Sequence, residues 1–322
     1  MRFELWGCGR QILLSESFAN MMLVMQKLRR NRLEFMWMLA VRCALRHHAV
    51  YCSQAEQNGL RCGEMWRYWG HSWPKEHGAW VILFVSFAIG AVCGAGMLGW
   101  QLVLLAAILL AFLGRADFTE WIRGKKHPQS FPWFFADAVG AAVLLSLLIV
   151  NGYWLLLPMA AVSGAILAVH TFAYAKRSAR KLWAEAVGVV GLAASAPAAW
   201  YVSTGELWPK GAVLWALCSL YFIGAVMHVE HLIAARSGRF RTAQLLRRLS
   251  IAYHLCAVAL AAAVAYTAGL PWLVGTAMVP AWIRAVHPSP DYQHGPLTRV
   301  GRAESVYAVL FAAILIGVLV RG

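Results

Sequence analysis

The sequence predicts an all-α membrane protein, a bundle of about nine transmembrane helices. Its residues are 61% hydrophobic and only 13% charged, with a mean hydropathy of +0.59, which lies outside the range of soluble proteins. Nine apolar stretches of about 14–21 residues approach the ~20 residues that a helix needs to cross a bilayer. These stretches lack the alternation of barrel strands, and an open sheet edge in lipid would leave backbone groups unpaired. The predicted spans are 79–97, 101–114, 133–150, 153–173, 183–203, 211–228, 251–268, 271–286 and 303–320.

The positions of Lys and Arg predict the orientation of these spans. Of the 29 basic residues, 16 are assigned to the loops after spans two, four, six and eight, including Arg284 at the end of span eight, and 11 precede the first span. The odd-numbered loops and the C-terminus hold only Lys210 and Arg321. The positive-inside rule therefore places the N-terminus in the cytoplasm and the C-terminus outside a cell (inner) membrane. Because the net charge of +15 follows this topology, it does not indicate a nucleic-acid partner.

Residues 1–72 differ from the membrane bundle predicted over 73–322. Basic and apolar clusters alternate there without a run long enough to span a membrane. Three interpretations stay open: a basic amphipathic arm on the inner leaflet, a weakly ordered extension, or a natural start at Met65.

Within 73–322, the odd-numbered loops are only a few residues long and predict antiparallel helical hairpins. The even-numbered loops are longer, polar and basic, so chemistry is expected on the cytoplasmic side. Glycines inside the spans, such as Gly90, Gly94 and Gly188, predict close helix packing. The seven cysteines include no CxxC motif and indicate neither a disulfide framework nor a zinc site.

The densest polar motif next to the membrane precedes the first span. Pro74 suits a helix start, and Glu76 falls in the first turn, where the helix dipole favours a carboxylate. The role of the motif is unknown, and its candidate residues are Pro74, Lys75, Glu76, His77, Gly78 and Trp80.

The loop predicted after span two carries a candidate cation site. Asp117 and Glu120 are three residues apart and share a helix face, which suits a hard divalent cation that also bridges phosphate oxygens. Arg115 is a candidate to hold the phosphate charge. The alternative is a solvated helix end with local ion pairs.

Two further basic segments carry candidate residues. Lys176 and Arg177 follow span four, where topology alone also calls for positive charge. After span six, Glu230 and His231 lie close to Arg236 at the membrane boundary, where an unpaired charge is costly. His228 and His231 could ligate a metal, although pairing with loop residues is the alternative. Inside the spans, Asp137 and His170 need polar partners facing the bundle interior.

The segment Pro74-Lys75-Glu76-His77-Gly78-Ala79-Trp80, together with Gly301-Arg302-Ala303-Glu304, resembles the YwiC-like membrane protein family over about residues 73–322. That resemblance implies an architecture but no reaction.

The same region is more distantly similar to the UbiA superfamily of intramembrane prenyltransferases. Tyr174-Ala175-Lys176-Arg177 resembles that family's Tyr-Pro-x-x-Lys-Arg segment. Asp117 and Glu120 fall on two positions of its first aspartate motif, whereas only Glu230 remains of the second. The resemblance implies nine helices around a cavity facing the cytoplasm, and Mg²⁺ held against a prenyl diphosphate. The thinned acidic motifs argue against activation by two metal ions.

Two functions therefore stay open, with a third behind them. In the first, a transferase acts on a prenyl diphosphate or similar amphipathic phosphate: Asp117 and Glu120 bind Mg²⁺, while Glu230 or His231 supplies an acid or base. Its phosphate ligands would be Arg115, Lys176, Arg177 and Arg236. In the second, the protein binds or transports a lipid-like or anionic small molecule without catalysis. The third is a haem or metal role for His77, His170, His228, His231 or His254.

Overall fold

The computed structural model describes residues 77–122, 130–175, 182–287 and 297–321. All of them belong to one compact unit, Gly70–Gly322. The extension 1–72 and the motif residues Pro74, Lys75 and Glu76 lie outside the described residues. The helices are α1 (His77–Gly94), α2 (Leu98–Ile122), α3 (Ser130–Val150), α4 (Leu156–Ala175), α5 (Leu182–Ala193), α6 (Ser195–Thr204), α7 (Lys210–Arg236), α8 (Phe240–Thr267), a 3₁₀ helix (Trp272–Met278), α9 (Val279–Val286) and α10 (Leu297–Arg321).

The helices confirm the predicted fold class. Eight helical segments are long and apolar enough to cross a membrane, with α5 and α6 together forming one of them. The described residues include no β-strand. Each of the nine predicted spans falls on a helical segment, and the eighth corresponds to the shorter apolar segment Trp272–Val286.

The short eighth segment, Trp272–Val286, packs back along α8. It follows a tight turn after α8, and at its far end Arg247 Nη2 donates a hydrogen bond to the Val286 carbonyl at 3.4 Å. Twenty residues of α8 separate Arg247 from Thr267, which is about 30 Å at the α-helical rise. Seven residues of 3₁₀ helix at about 2.0 Å per residue and eight of α-helix at about 1.5 Å cover about 26 Å, and the long Arg247 side chain spans the rest.

The fifth span is broken where it packs on α1. Pro197 lies in the first turn of α6 and has no N–H with which to continue the helical ladder from α5. Next to the break, Ser195 Oγ donates to the Leu83 carbonyl at 3.2 Å. Gly90 faces the same region, and a Cβ atom there would lie 2.0 Å from the Ala196 oxygen. The backbones of α1 and α6 therefore approach more closely than any residue but glycine permits.

The helices pack as two groups that share α1 and α6. In one group, α2 packs against α3, α4 and α6 around a small core that includes Leu104, Leu148 and Leu156. In the other, α7 packs mainly against α8, α5, α6 and α1 around a larger core. The candidate residues divide between these groups.

The structure corrects three positions that the sequence assigned to loops. Helix α2 continues to Ile122, so Arg115, Asp117 and Glu120 lie on a helix. The segment between spans six and seven is not a long loop, because only Ser237–Arg239 separate α7 from α8. Arg284 is buried within α9 rather than exposed in a loop. Continued helix is favourable at these ends because it satisfies the backbone hydrogen bonds without water.

Candidate functional site

An apolar cavity of about 470 Å³ lies in the group of helices around α2. Small side chains create it: Ala and Gly residues make up nearly half of its lining, which includes Ala107, Ala138 and Gly164. The lining has no charged side chain, and one of its few polar groups, the Ser195 hydroxyl, already donates to a carbonyl. From Leu104 to Gly114 the cavity follows α2 for about 15 Å. Its shape and chemistry therefore suit an apolar chain.

A polar group follows the cavity at its Gly114 end. Arg115 comes next in the chain, and its Nη1 donates to His170 Nδ1 at 2.8 Å. The guanidinium carbon also lies 5.5 Å from the ring centre of Phe112, which lines the cavity. His170 rests against Gly188, where an added Cβ would lie 2.8 Å from the imidazole Cδ2. The glycine thus leaves room for a histidine that accepts a hydrogen bond from a cation.

Two buried carboxylates accompany Arg115 and His170. Asp117 is fully buried and Asp137 is 7% exposed. A Cβ on Gly114 would lie 3.1 Å from Asp137 Cβ, which places Asp137 next to the cavity end. Burial of Asp137 and His170 confirms that both face the bundle interior.

The described side chains do not by themselves fit a metal ion. Within the described ranges, no group of three or more His, Cys, Asp or Glu side chains is arranged to hold one. Asp117 is fully buried, whereas Glu120 is partly exposed on the next turn. Two carboxylates are few ligands for Mg²⁺ without substrate phosphates. The magnesium site at Asp117 and Glu120 stays a prediction.

The predicted acid–base residues lie on helices of the other group. His231 is buried, and its Nδ1 donates to the Ala243 carbonyl of α8 at 2.9 Å. Glu230 precedes it on α7 and is partly buried, and Arg236 ends the same helix. These residues stand on α7, which packs on α8, whereas Arg115 and Asp117 stand on α2, which packs on α3.

The remaining predicted residues can be placed only in part. Lys176 and Arg177 lie outside the described residues, just after the end of α4. His77 and Gly78 are exposed at the start of α1. The Trp80 ring packs edge-on against Phe112, with the ring centres 4.9 Å apart. The conspicuous motif before the first span therefore ends beside the cavity.

A second buried polar centre lies between α7, α8, α9 and α10, and the sequence did not predict that its members come together. Arg284, 2% exposed, forms an ion pair with Glu304, and its guanidinium carbon lies 4.9 Å from the Tyr307 ring centre. His228 and His254 are also buried and lie within electrostatic range of Arg284. His254 Nδ1 donates to the Ser250 carbonyl at 2.7 Å. Arginine and glutamate 20 residues apart in sequence give no local signal for this pair.

The fold and the buried polar groups define the protein as a multi-pass α-helical membrane protein. Residues 73–200 match the family described as YwiC-like protein. Over 251 residues, the chain is 24% identical to "Uncharacterized protein YwiC" of Bacillus subtilis (strain 168), covering 75% of this chain and 95% of that protein. No solved structure matches the chain. These matches support the YwiC-like resemblance, whereas the UbiA resemblance rests on the motif residues alone.

The family match coincides with the cavity. Every residue that lines the cavity, from Leu83 to Ala198, falls within residues 73–200. Arg115, Asp117, Asp137 and His170 fall there too. The Arg284–Glu304 pair lies outside that range.

Proposed function

We propose that this protein is a YwiC-like membrane protein that binds an amphipathic, lipid-like small molecule. The apolar part of the molecule lies in the cavity along α2, and its polar end meets Arg115 and His170. The observation that carries this proposal is that Arg115, a partly buried cation hydrogen-bonded to His170, directly follows Gly114, a residue of the uncharged cavity lining.

The apolar part of the site sets the first requirement on the ligand. A volume of about 470 Å³ is within the range of small-molecule sites, and an uncharged lining disfavours a ligand that is polar throughout. A cavity about 15 Å long favours an extended chain over a compact ring system.

The polar end sets the second requirement. Arg115 carries a fixed positive charge and a fork of N–H donors, one of which meets the His170 imidazole. Guanidinium groups suit phosphate and carboxylate oxygens, so the charge favours an anionic or oxygen-rich head group beside it. Lys176 and Arg177, close after α4 in the chain, are proposed to add positive charge to the same end.

Binding without catalysis is the better supported of the two functions. The acid or base proposed for a transferase, Glu230 or His231, stands on α7, and α2 packs chiefly on other helices. The described carboxylates also form no group that could hold a metal ion by itself. Among the residues that the structure describes, no arrangement therefore favours the transfer of a prenyl group.

The basic residues support an orientation in which Arg115 lies at the cytoplasmic side of the inner membrane. This orientation follows from the charge difference between alternate loops and from nine crossings. The return of Trp272–Val286 along α8 supports the ninth crossing.

Filling the cavity tests the proposal. Gly164 lines the cavity, and a Cβ added there would have no neighbour within 4 Å, so Gly164→Leu is chosen to add an apolar side chain at the cavity wall without a backbone clash. The matched control is Gly317→Leu in α10, where a Cβ also has no neighbour within 4 Å and no cavity residue is replaced. Binding of dodecyl phosphate to the purified protein is measured by isothermal titration calorimetry.

We expect Gly164→Leu to weaken the binding of dodecyl phosphate at least tenfold and Gly317→Leu to leave it unchanged. Elution at the wild-type volume in size-exclusion chromatography checks that both variants fold. Equal affinity in the two folded variants would contradict the proposal, as would wild-type protein that does not bind dodecyl phosphate.

A further inference from the structure

We propose that the outward face of the first three turns of α8, defined by Arg241, Leu245, Arg248 and Leu249, is a binding surface for the head groups of anionic phospholipids. This surface is separate from the cavity, and the inference does not depend on the proposed function.

The length of α8 places its first turns in the head-group region. With 28 residues the helix is about 42 Å long, whereas the hydrocarbon core of a bilayer is about 30 Å thick. About eight residues must therefore lie outside the hydrocarbon. Arg241, Arg247 and Arg248 all fall in the first nine residues, and the last turns carry no charge, so the extension is at the Phe240 end.

The packing of α8 fixes which side of these turns faces outward. Ala243 and Ser250 are buried seven residues apart, and the Ala243 carbonyl accepts a hydrogen bond from His231 of α7. Arg241 and Arg248, also seven residues apart, lie on a different side of the helix and are exposed. Arg247 is also exposed, but its side chain extends toward α9, where Nη2 donates to the Val286 carbonyl.

The outward face combines apolar and basic side chains. Leu245 is 57% exposed and Leu249 is 46% exposed, next to Arg241 and Arg248. Such a combination is typical of interfacial helices, whose apolar side chains enter the acyl boundary while their cations meet phosphate groups.

The arginines on this face also have no acidic partner within the described part of the protein. No described Asp or Glu lies within ion-pair distance of Arg241 or Arg248. Between His231 and Ala303 the sequence contains a single acidic residue, Asp291. Phosphate oxygens of anionic lipids supply the missing negative charge, and guanidinium groups bind them well.

The test compares lipid binding in two double variants that remove the same charge. Arg241→Gln with Arg248→Gln removes it from the proposed surface. The control, Lys210→Gln with Arg321→Gln, removes two positive charges at the first residue of α7 and the last residue of α10, away from the proposed surface. Native mass spectrometry of the detergent-solubilised protein measures the affinity for added phosphatidylglycerol and, separately, phosphatidylcholine.

Each basic residue near an anionic head group strengthens binding by roughly fivefold. We therefore expect the Arg241/Arg248 variant to bind phosphatidylglycerol about 30-fold more weakly, and the Lys210/Arg321 variant to differ from wild type by less than about threefold. Both changes are at exposed positions, and size-exclusion chromatography verifies the fold. Equal losses in the two variants, or no preference of the wild type for phosphatidylglycerol over phosphatidylcholine, would overturn the inference.

Discussion

The contact between α1 and α6 predicts that Gly90→Ala strongly destabilises the bundle. The added Cβ would lie 2.0 Å from the Ala196 oxygen, 2.9 Å from its carbonyl carbon and 3.1 Å from its Cα. All three atoms belong to the backbone, so no side chain can rotate away. The helices would have to separate by roughly 1.4 Å to reach an ordinary contact distance.

The cost of that separation follows from packing. A gap of about 1 Å already forfeits up to half of the dispersion energy of the atoms on either side. Overpacking a well-packed interior costs about 1–3 kcal/mol, and a clash between two backbones belongs at the upper end. We expect the free energy of unfolding to fall by about 2–3 kcal/mol.

Reversible unfolding in mixed micelles measures this change through tryptophan fluorescence during an SDS titration. Gly317→Ala is the matched control, because it lies inside α10 and an added Cβ would have no neighbour within 4 Å. Since alanine favours a helix over glycine, this control should be neutral or stabilising by up to about 1 kcal/mol. Unfolding of Gly90→Ala at the same SDS concentration as Gly317→Ala would refute the close approach of α1 and α6.

Three further predictions concern charge. Arg284→Met should lower the free energy of unfolding by about 3–5 kcal/mol, because it leaves Glu304 buried without its partner, and adding Glu304→Leu should restore most of the lost stability. The same SDS titration measures both variants, and a double variant no more stable than Arg284→Met would contradict the ion pair. Arg115→Gln should weaken the binding of dodecyl phosphate about 10- to 100-fold, because a hydrogen bond to a charged group is lost, and should weaken the binding of uncharged dodecanol less than about threefold. Equal losses of affinity for the two ligands in calorimetry would contradict recognition of the phosphate charge by Arg115. A reporter enzyme fused after Gly322 should be active only outside the cytoplasm, whereas cytoplasmic activity would mean that 272–286 does not cross.

The sequence was sufficient to predict the spans because the bilayer imposes a length and a composition that any crossing helix must meet. It was less informative about where helices end. Charge usually marks the membrane boundary, so the sequence assigns Asp117 and Arg236 to loops. Helices nevertheless continue past that boundary to keep their backbone bonds, and both residues lie on helices.

The candidate site was predictable only in part, for a related reason. Arg115 stood out because it follows an apolar span, and His170 because a histidine within a span needs a partner. The cavity itself has no local signal, since it depends on alanines and glycines from five helices, α2 to α6, that pack together. The sequence did not predict the ion pair of Arg284 and Glu304, because Arg284 was interpreted as a basic residue of a cytoplasmic loop.

The most direct test of the proposed site is the position of a bound ligand. A cryo-electron microscopy map of the protein in a nanodisc, with dodecyl phosphate in excess, should contain an elongated density between Leu104 and Gly114. The phosphate should lie within hydrogen-bonding distance of Arg115. A map in which the phosphate lies at the Leu104 end, or in which the ligand binds only outside the cavity, would contradict the account.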